Sequence, residues 1–347
     1  MKKKLFVVVL ILTIVCIPFL SACAPAAEEA AAAEEAASED APAAEAETEA
    51  ESETEAVMEK KEYYFVFVPK LIHPWYDDVE KGAADAMAEL EMLGYDITYD
   101  WDAPNDADVV MQTQRLESAI AKEPDLLFVS CLDVDANKPL IQEAVDAGIP
   151  VISYDTPCTG TAAMSFVGRY DYEEDGADLA EVLAEAIDYE GEVAILAGSP
   201  GALNHKQRVA GFKKAMEAYP DITIVAEEFD NDDVERAANL TASILQANPN
   251  LKGVFGCNAA NPVGAGRAIV EAGKKGEIVL VGMDDQPDMI QFVKDGTALA
   301  MSVQNVSEIG YWAIHYGVAL DNGHTFAKIH DTGSAVVFAD GVDTYKD

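Results

Sequence analysis

Polar and aromatic side chains stand at a few points of this sequence, each after a short apolar run or near the start of an amphipathic segment. Trp75 and Tyr76 form the first such group, and Asp155 belongs to the next. In the second half of the chain, Arg208 lies near a segment start and Asp284 follows an apolar run. Carboxylates accept hydrogen bonds, a guanidinium donates them, and aromatic rings offer apolar faces. These residue types are suited to binding a small polar ligand, provided that the fold brings them together.

Short apolar runs alternate with amphipathic segments along most of the chain. The first half predicts strands at 63–68, 97–101, 126–130 and 151–154, and helices at 75–93, 109–122 and 139–147. The second half predicts strands at 193–196, 222–227, 253–255, 278–281, 299–303 and 336–338, and helices at 173–187, 205–219, 234–247, 262–272 and 287–295. Strands joined in this way by helices indicate βαβ units and parallel sheets.

The order of these elements predicts where the polar side chains meet. Two βαβ series, one before and one after about residue 167, indicate an α/β fold with two doubly wound parallel-sheet lobes. Ligands of such sheets gather at the carboxyl ends of the strands, so the loops after the strands are the candidate site. Asn258 and Gln304 follow two further strands. Asn204 and His205 open a helix, where they either join the site or cap the helix.

Motifs of catalysis are absent from the sequence. It contains no Gly-x-Ser-x-Gly nucleophile elbow and no Walker loop, and residues 253–256 do not form a dinucleotide fingerprint. No Cys-x-x-Cys or His-rich spacing indicates a metal site. We therefore expect a binding protein rather than an enzyme, with no cofactor and no metal.

The N-terminus has the pattern of an export signal. Three lysines at 2–4 precede an apolar run over 5–20, and small residues lead to Cys23. The ending Leu-Ser-Ala-Cys resembles the bacterial lipoprotein box, which implies removal of residues 1–22 and acylation of the Cys23 thiol. We therefore expect a lipid-anchored protein on the outer side of the cell membrane, in a periplasm or at the cell surface. A plain secretory signal and a single anchor helix are the alternatives.

Residues 23–62 predict an acidic, disordered stalk. There are fourteen acidic residues between Glu28 and Glu62, and the segment has no aromatic side chain that could be buried. The remaining residues 63–347 have a length that matches about two domains. They carry 18 basic and 49 acidic side chains, a balance of −31, which argues against nucleic acid as a partner.

Three cysteines lie beyond the predicted signal and lipid site: Cys131, Cys158 and Cys257. Cys131 and Cys158 each follow a strand-like apolar run, so they are expected near each other. A disulfide between them is one interpretation, and two buried thiols are the one that we favour.

From residue 63 to the C-terminus, the chain resembles the ribose-type periplasmic binding proteins, which are the solute receptors of sugar ABC transporters. The matching pieces are His-Pro-Trp-Tyr at 73–76, Gly-Ile-Pro-Val-Ile-Ser-Tyr-Asp at 148–155, Arg-Val-Ala-Gly-Phe at 208–212, the turn at 255–258, Val-Gly-Met-Asp at 281–284, and Gln304 ahead of Ile-Gly at 309–310. The likeness rests on their order and spacing. It implies the type I fold, with a hinge of three crossing segments. It also implies an N-terminal lobe of 63–167 and 305–333 and a C-terminal lobe of 168–304 and 334–347.

The resemblance implies a role for each matched residue. Trp75 and Tyr76 stand where the family uses two aromatic rings to sandwich a sugar. Five residues match positions that hydrogen-bond sugar hydroxyls: Asp155, Arg208, Asn258, Asp284 and Gln304. By residue type alone, the rings could instead pack a helix start, the aspartates cap loops, and the arginine be a surface charge.

Three further residues either differ from those of the ribose receptors or match those of other receptors. His73 stands where ribose binders often have Asn, and Thr156 where they often have Arg, so the resemblance implies a ligand other than ribose. Lys70 resembles a lysine that reaches the ligand in autoinducer-2 and rhamnose receptors of the same superfamily. Against autoinducer-2, Asn204 and His205 replace the acid–amide pair expected in that receptor. We include Lys70, His73 and Thr156 among the predicted ligand-binding residues.

The family's mode of action gives the functional expectation. A monosaccharide or polyol would close the two lobes, and the closed protein, which we expect to be a monomer, would dock on an ABC permease and release its cargo for import. The alternative is a receptor that presents a sugar or autoinducer-2 to a signalling membrane protein. A sugar-repressor core shares this fold, but the export signal and the missing helix-turn-helix argue against it.

Overall fold

The computed structural model describes residues 61–345; the predicted signal peptide, Cys23 and nearly all of the predicted stalk lie outside them. The described strands are β1 (Lys61–Val68), β2 (Tyr95–Trp101), β3 (Leu126–Val129), β4 (Val151–Tyr154), β5 (Ser165–Gly168), β6 (Gly191–Ala197), β7 (Ile222–Phe229), β8 (Leu251–Gly256), β9 (Val279–Met283), β10 (Ala300–Gln304), β11 (Ile329–Asp331) and β12 (Ser334–Phe338). The described helices are α1 (Trp75–Met92), α2 (Val109–Ile120), α3 (Val134–Asp146), α4 (Tyr172–Ala186), α5 (Leu203–Met216), α6 (Val234–Ala247), α7 (Ala260–Glu271), α8 (Pro287–Asp295) and α9 (Val306–Asp321). None of these helices is long and apolar enough to cross a bilayer.

The strands form two six-stranded sheets with matching orders. Sheet 1 has the order β11-β5-β4-β3-β1-β2, and all its pairs are parallel. Sheet 2 has the order β12-β10-β9-β8-β6-β7, and only the pair of β12 with β10 is antiparallel. Strand by strand, β1 corresponds to β6, β3 to β8 and β4 to β9. The predicted α/β class with two doubly wound sheets is confirmed.

Each sheet is covered by apolar side chains on both faces, as parallel sheets require. On sheet 1, α1 and α9 pack on one face and α2 and α3 on the other. On sheet 2, α4 and α5 cover one face, and α6, α7 and α8 cover the other. Stacked rings mark both cores: Phe67 and Phe128 lie 4.2 Å apart by their centroids, and Phe212 and Phe255 lie 4.4 Å apart. Each lobe therefore has its own core on which its loops are mounted.

The chain passes between the two sheets three times: after β5, after β10 and after β11. Side chains in these passages join one passage to another. Arg169 Nη1 donates to Asp331 Oδ2 at 3.0 Å, and Asn305 Nδ2 donates to the Thr332 carbonyl at 2.6 Å. The passages are thus tied into one bundle, while the residue limits of the lobes stay a prediction.

Several elements differ from the sequence-based expectation. α9, β5 and β11 were not predicted, because β5 has only 4 residues, β11 has only 3, and α9 has weak polar contrast between its faces. α3 begins at Val134 rather than at residue 139, since the Asp133 carboxylate accepts from the Ala136 N–H and caps the helix there. β1 begins at Lys61, inside the predicted stalk, because it pairs with β2 from that residue onward.

A disulfide joins Cys131 to Cys158, so our preference for two buried thiols is wrong. The two loops that follow β3 and β4 run side by side, and the Cys131 N–H donates to the Thr156 carbonyl at 3.1 Å. This pairing brings the Cα atoms to 5.4 Å, within bonding range for two cysteines. Cys257 is a buried free thiol whose pKa is raised by burial to about 12, so it remains protonated.

Close helix packing in both lobes depends on glycine. A Cβ added at Gly310 of α9 would overlap the Val79 carbonyl oxygen of α1, and one added at Gly176 of α4 would overlap the Arg208 carbonyl oxygen of α5. The helix backbones therefore touch at these points, and no larger residue fits without moving a helix.

We expect Gly310→Ala to destabilise the protein by about 2 kcal/mol or more, because α9 must move away from α1. Urea unfolding followed by circular dichroism measures this loss. Gly341→Ala is the control, since an added Cβ there meets its nearest atom, the Phe338 carbonyl oxygen, at 3.8 Å. Equal unfolding midpoints for the two variants would contradict the packing argument.

Candidate ligand-binding site

One cavity opens where the carboxyl ends of the two sheets face each other. The empty space among its lining residues, including the mouth, is about 380 Å³. This is at the small end of the roughly 300–1,000 Å³ typical of small-molecule sites. The lining residues are Lys70, Leu71, His73, Trp75, Tyr76, Asp155, Asn204, His205, Arg208, Asp232, Asn258, Ala259, Ala260, Asp284 and Gln304. Both lobes contribute side chains, so a molecule held there contacts both at once.

All the predicted ligand-binding residues except Thr156 line this cavity. Thr156 is fully buried behind Asp155, and its Oγ1 donates to Asp155 Oδ2 at 3.4 Å. It supports the carboxylate instead of reaching the cavity surface. The position cannot supply the donor that the matching arginine has in ribose binders.

Asp155 supplies the N-terminal lobe's carboxylate. It follows β4 with a φ of +55°, a left-handed conformation that Asp tolerates better than most residues. Its Oδ2 accepts from Tyr76 Oη at 2.7 Å and from Ser130 Oγ at 2.7 Å, and Lys70 Nζ lies 3.3 Å from it. Among the described residues, nothing bonds to Oδ1. The carboxylate is held firmly by one oxygen and keeps the other for a ligand.

Asp284 is the counterpart of Asp155 in the C-terminal lobe. It follows β9 with a φ of +67°, and its Oδ1 accepts from Trp75 Nε1 at 3.0 Å and from Gln304 Nε2 at 2.6 Å. The bond from Trp75 crosses between the lobes. Burial raises the pKa of Asp284 to about 6, although Arg208, Gln304 and Trp75 act in the opposite direction. Its Oδ2 has no partner among the described residues and is available to a ligand.

Arg208 forms the floor of the cavity on the C-terminal-lobe side. Its Nε donates to Asp175 Oδ2 at 3.3 Å, its Nη1 donates to the Cys257 carbonyl at 3.3 Å, and its guanidinium carbon lies 5.2 Å from the centroid of the Tyr172 ring. Burial alone would lower the pKa of Arg208, but Asp175 and Asp284 raise it above its ordinary value. The buried Nη2 has no hydrogen-bond partner within the described chain. A buried donor in that position calls for an acceptor from a ligand.

The two aromatic rings do not form a sandwich. Trp75 and Tyr76 are perpendicular, with an interplanar angle of 87° and centroids 5.1 Å apart, so no sugar ring fits between parallel faces. Tyr76 packs among Trp101 and Tyr154 and uses its hydroxyl to hold Asp155. That part of the family-based expectation is wrong, because consecutive residues at a helix start point in different directions. Only one of the two rings can lie flat on a ligand.

His73 lies at the mouth of the cavity and supports Trp75. Its Nδ1 accepts from the Trp75 N–H at 3.1 Å, which helps to fix the start of α1. Burial lowers the pKa of His73, with Asp232 acting in the opposite direction, so the ring is neutral at physiological pH.

Three polar lining residues were missing from the predicted site: Asn204, His205 and Asp232. The interpretation of Asn204 and His205 as helix caps is wrong, because α5 begins at Leu203 and Ala202 is its N-cap. Asp232 follows β7, which extends to Phe229 rather than ending at residue 227. The rule that ligands gather at strand ends includes the loop after β7, so the position of Asp232 follows once the true end of β7 is known.

Fully buried Gln112 fixes the loops that carry the N-terminal-lobe residues. Its Nε2 donates to the Pro69 carbonyl at 3.0 Å and to the Ser130 carbonyl at 2.7 Å, and its Oε1 accepts from the Leu132 N–H at 3.1 Å. The loop after β1 is thus tied to the loop after β3. Lys70 and the Ser130 hydroxyl that holds Asp155 are positioned by the same side chain.

Comparison with known families agrees with this geometry. The sequence profile described as "Periplasmic binding protein domain" matches residues 64–325. The chain belongs to the periplasmic binding protein family. The match covers most of β1, every element from α1 to α9 and all the residues that line the cavity, and it ends before β11 and β12.

Individual relatives are binding proteins rather than enzymes. The D-ribose/D-allose-binding protein of Pseudomonas aeruginosa is 29% identical over 227 residues, which is 64% of this chain and 70% of the relative. A solute-binding protein of an ABC transporter from Burkholderia graminis, solved with D-arabinose, superposes with a TM-score of 0.77 at 30% identity, covering 83% of this chain and 99% of the other. One from Agrobacterium vitis, bound to α-D-tagatopyranose, has a TM-score of 0.76 at 28% identity over 82% and 97%. This periplasmic binding protein therefore has the type I fold.

The pKa of Asp284 gives a test of the site's electrostatics without ligand. Because the folded pKa of about 6 lies above the ordinary 3.8, the folded protein binds this proton more tightly than the unfolded chain. Folding stability therefore falls as pH rises from about 4 to about 6, by about 3 kcal/mol. We expect Asp284→Asn to be more stable than wild type at pH 7.5 by up to that amount, with the difference shrinking toward pH 4.

Urea unfolding at several pH values measures this difference. Asp288→Asn is the matched control, because Asp288 is half-exposed and pairs with Arg267 at the surface. A stability gap for Asp284→Asn that stays constant between pH 4 and pH 7.5 would show that Asp284 is not the titrating group.

Proposed function

We propose that the protein is an extracytoplasmic substrate-binding lipoprotein that captures a monosaccharide or polyol and delivers it to an ABC permease for import. The observation that carries this proposal is the cavity whose hydrogen-bonding side chains come from both lobes. The family and the sugars bound in related structures support it.

The unused hydrogen-bond capacity of the site favours a polyhydroxylated ligand. Asp155 Oδ1 and Asp284 Oδ2 are acceptors, Arg208 Nη2 is a donor, and Lys70 Nζ has donors beyond its contact with Asp155. A hydroxyl both donates and accepts, so several hydroxyls on one small molecule can satisfy these groups together. Such a site rejects solutes without hydroxyls because its own buried groups would stay unpaired.

Capture would proceed by closure of the lobes around the ligand. A solute in the cavity contacts Trp75 and Asp155 of one lobe and Arg208 and Asp284 of the other only when the lobes are close. The ligand then favours the closed form by its differential affinity. Our proposed lobes are residues 63–167 with 305–333, and 168–304 with 334–347, hinged at the three passages.

A second candidate function is reception of autoinducer-2 or a sugar for a signalling membrane protein. The position of Lys70 favours it, since the side chain is buried, lines the cavity and lies 3.3 Å from Asp155. Transport and reception require the same closure and differ in the membrane partner. Neighbouring genes for a permease and an ATPase, or for a kinase, would separate them.

A thermal-shift panel tests the proposed ligand class. It contains D-ribose, D-allose, D-arabinose, D-tagatose, xylitol and autoinducer-2. A ligand present at a hundred times its Kd stabilises the folded state by about 2.7 kcal/mol, which raises Tm by about 5 °C or more. We expect at least one sugar or polyol to do so, and Trp75→Ala and Asp284→Ala each to abolish the shift relative to their own ligand-free Tm.

Two variants outside the cavity serve as controls. Trp312→Ala removes a tryptophan of α9 that does not line the cavity, and Asp288→Ala removes a surface carboxylate, so both should keep the shift. If Trp75→Ala and Asp284→Ala both keep the wild-type thermal shift, the cavity is not the ligand-binding site. A shift with autoinducer-2 alone would favour the receptor function.

The lipid anchor has its own test in the full-length chain. Expressed in a bacterial host, the wild-type protein is expected to enter the detergent phase of Triton X-114 and to incorporate radiolabelled palmitate, and Cys23→Ala to do neither. Cys16→Ala is the matched control, since this cysteine lies within the predicted signal. Palmitate incorporation by Cys23→Ala would rule out this cysteine as the lipid site.

A further inference from the structure

His205 and Asp232 form a pair on the C-terminal-lobe wall of the cavity that the family resemblance does not assign. Both line the cavity, with side chains 4% and 10% exposed. His205 Nε2 and Asp232 Oδ1 lie 3.6 Å apart. This separation is too long for a direct hydrogen bond, so the two groups lie side by side without bonding each other.

The protonation of His205 follows from its contacts. Its Nδ1 accepts from the Ser199 N–H at 2.9 Å, so in the neutral ring the proton is on Nε2. Burial lowers the pKa of His205 to about 4, which keeps the ring neutral at physiological pH. Nε2 is therefore a donor, and it has no hydrogen bond to any described residue.

Asp232 is held as an ionised acceptor. Its Oδ2 accepts from Ser199 Oγ, and its Oδ1 accepts from Asn258 Nδ2 at 2.5 Å, which leaves a second lone pair on Oδ1. Burial would raise the pKa of Asp232, but it lies below its ordinary value because His205, where it is protonated at acid pH, Lys70 and the Ser199 hydroxyl lower it. The backbone has a φ of +63°, and the Asp232 N–H donates to Asp230 Oδ1 at 3.0 Å. Donor and acceptor are thus both fixed before a ligand arrives.

We infer that His205 and Asp232 together recognise one hydroxyl of the ligand, which accepts from His205 Nε2–H and donates to Asp232 Oδ1. An oxygen beside the two atoms, off the line that joins them, can lie about 2.8 Å from each, which is the ordinary length of both bonds. The inference rests on the proposed function and makes these two residues determinants of sugar specificity.

Other groups fit this position less well than a hydroxyl. An ammonium has no lone pair for His205, an ether oxygen has no proton for Asp232, and a carboxylate or phosphate is repelled by Asp232. A deoxy carbon leaves both groups without a partner, at the cost of two buried, unsatisfied polar atoms. The pair therefore selects a free, uncharged hydroxyl at one position of the ligand.

Calorimetric titration of deoxy sugars tests the inference. The probes are D-ribose, D-allose and D-arabinose, and the tightest binder is compared with each of its monodeoxy analogues. In wild type, we expect removal of one particular hydroxyl to weaken binding about tenfold to a hundredfold relative to the parent sugar. In Asp232→Ala and in His205→Ala, the penalty for the same analogue should fall severalfold because one of the two bonds is already lost, and in the double variant the analogue should bind within about twofold of the parent sugar.

Asp155→Ala is the matched control, because it removes a cavity carboxylate from the opposite lobe. It should weaken the parent sugar yet keep the discrimination at the position that Asp232 recognises. Circular dichroism and the ligand-free Tm show whether each variant is folded. Asp232→Ala and His205→Ala each give a separate measurement of the deoxy penalty. Equal deoxy penalties in wild type, Asp232→Ala and His205→Ala would overturn the inference while leaving the proposed function intact. No binding of any sugar by wild type would reject both.

Discussion

The buried carboxylate of Asp175 joins the binding cavity to the passages between the lobes. Arg169 Nε donates to its Oδ1 at 2.8 Å, Ser334 Oγ donates to the same oxygen at 2.6 Å, and Arg208 Nε donates to Oδ2 at 3.3 Å. Arg169 and Ser334 belong to or adjoin two of the passages, and Arg208 is the cavity floor. An unpaired charge at this depth would cost several kcal/mol, so the three partners cannot move independently. The position of the Arg208 guanidinium in the cavity is therefore coupled to the geometry of the passages between the lobes.

The cavity combines groups that the protein satisfies only in part. Asp155 and Asp284 each bond through one oxygen and leave the other without a partner in the described chain. Within the described chain, Arg208 Nη2 has no partner, and His205 Nε2 lies 3.6 Å from Asp232 Oδ1 without bonding it. Supporting bonds hold these side chains in place, so little conformational entropy is lost when a ligand completes the set. The same incompleteness costs stability in the ligand-free protein, most clearly at Asp284, where burial raises the pKa.

The sequence was informative about the site where spacing and residue type agreed. Trp75, Asp155, Arg208 and Asp284 follow or open elements with clear periodicity, and the structure brings them together. Asp232 was missed because β7 extends beyond the apolar run that marked it. The disulfide was misjudged because two strand-like runs show that cysteines are near each other but not at what distance. α9 was missed because a helix buried along much of its surface lacks the polar contrast by which helices are recognised.

The sequence by itself determined the α/β class, the two series of βαβ units and the edge at which ligand-binding side chains gather. These follow from local periodicity and from the handedness of the connections, which need no knowledge of distant contacts. Only the tertiary structure decided that Trp75 stands perpendicular to Tyr76 and bonds Asp284, that Thr156 lies behind Asp155, and that Asp232 faces His205. These are distances between residues far apart in the chain or angles set by side-chain packing. These distances and angles depend on where the two separately packed cores place their loops relative to each other. No local sequence pattern encodes that placement.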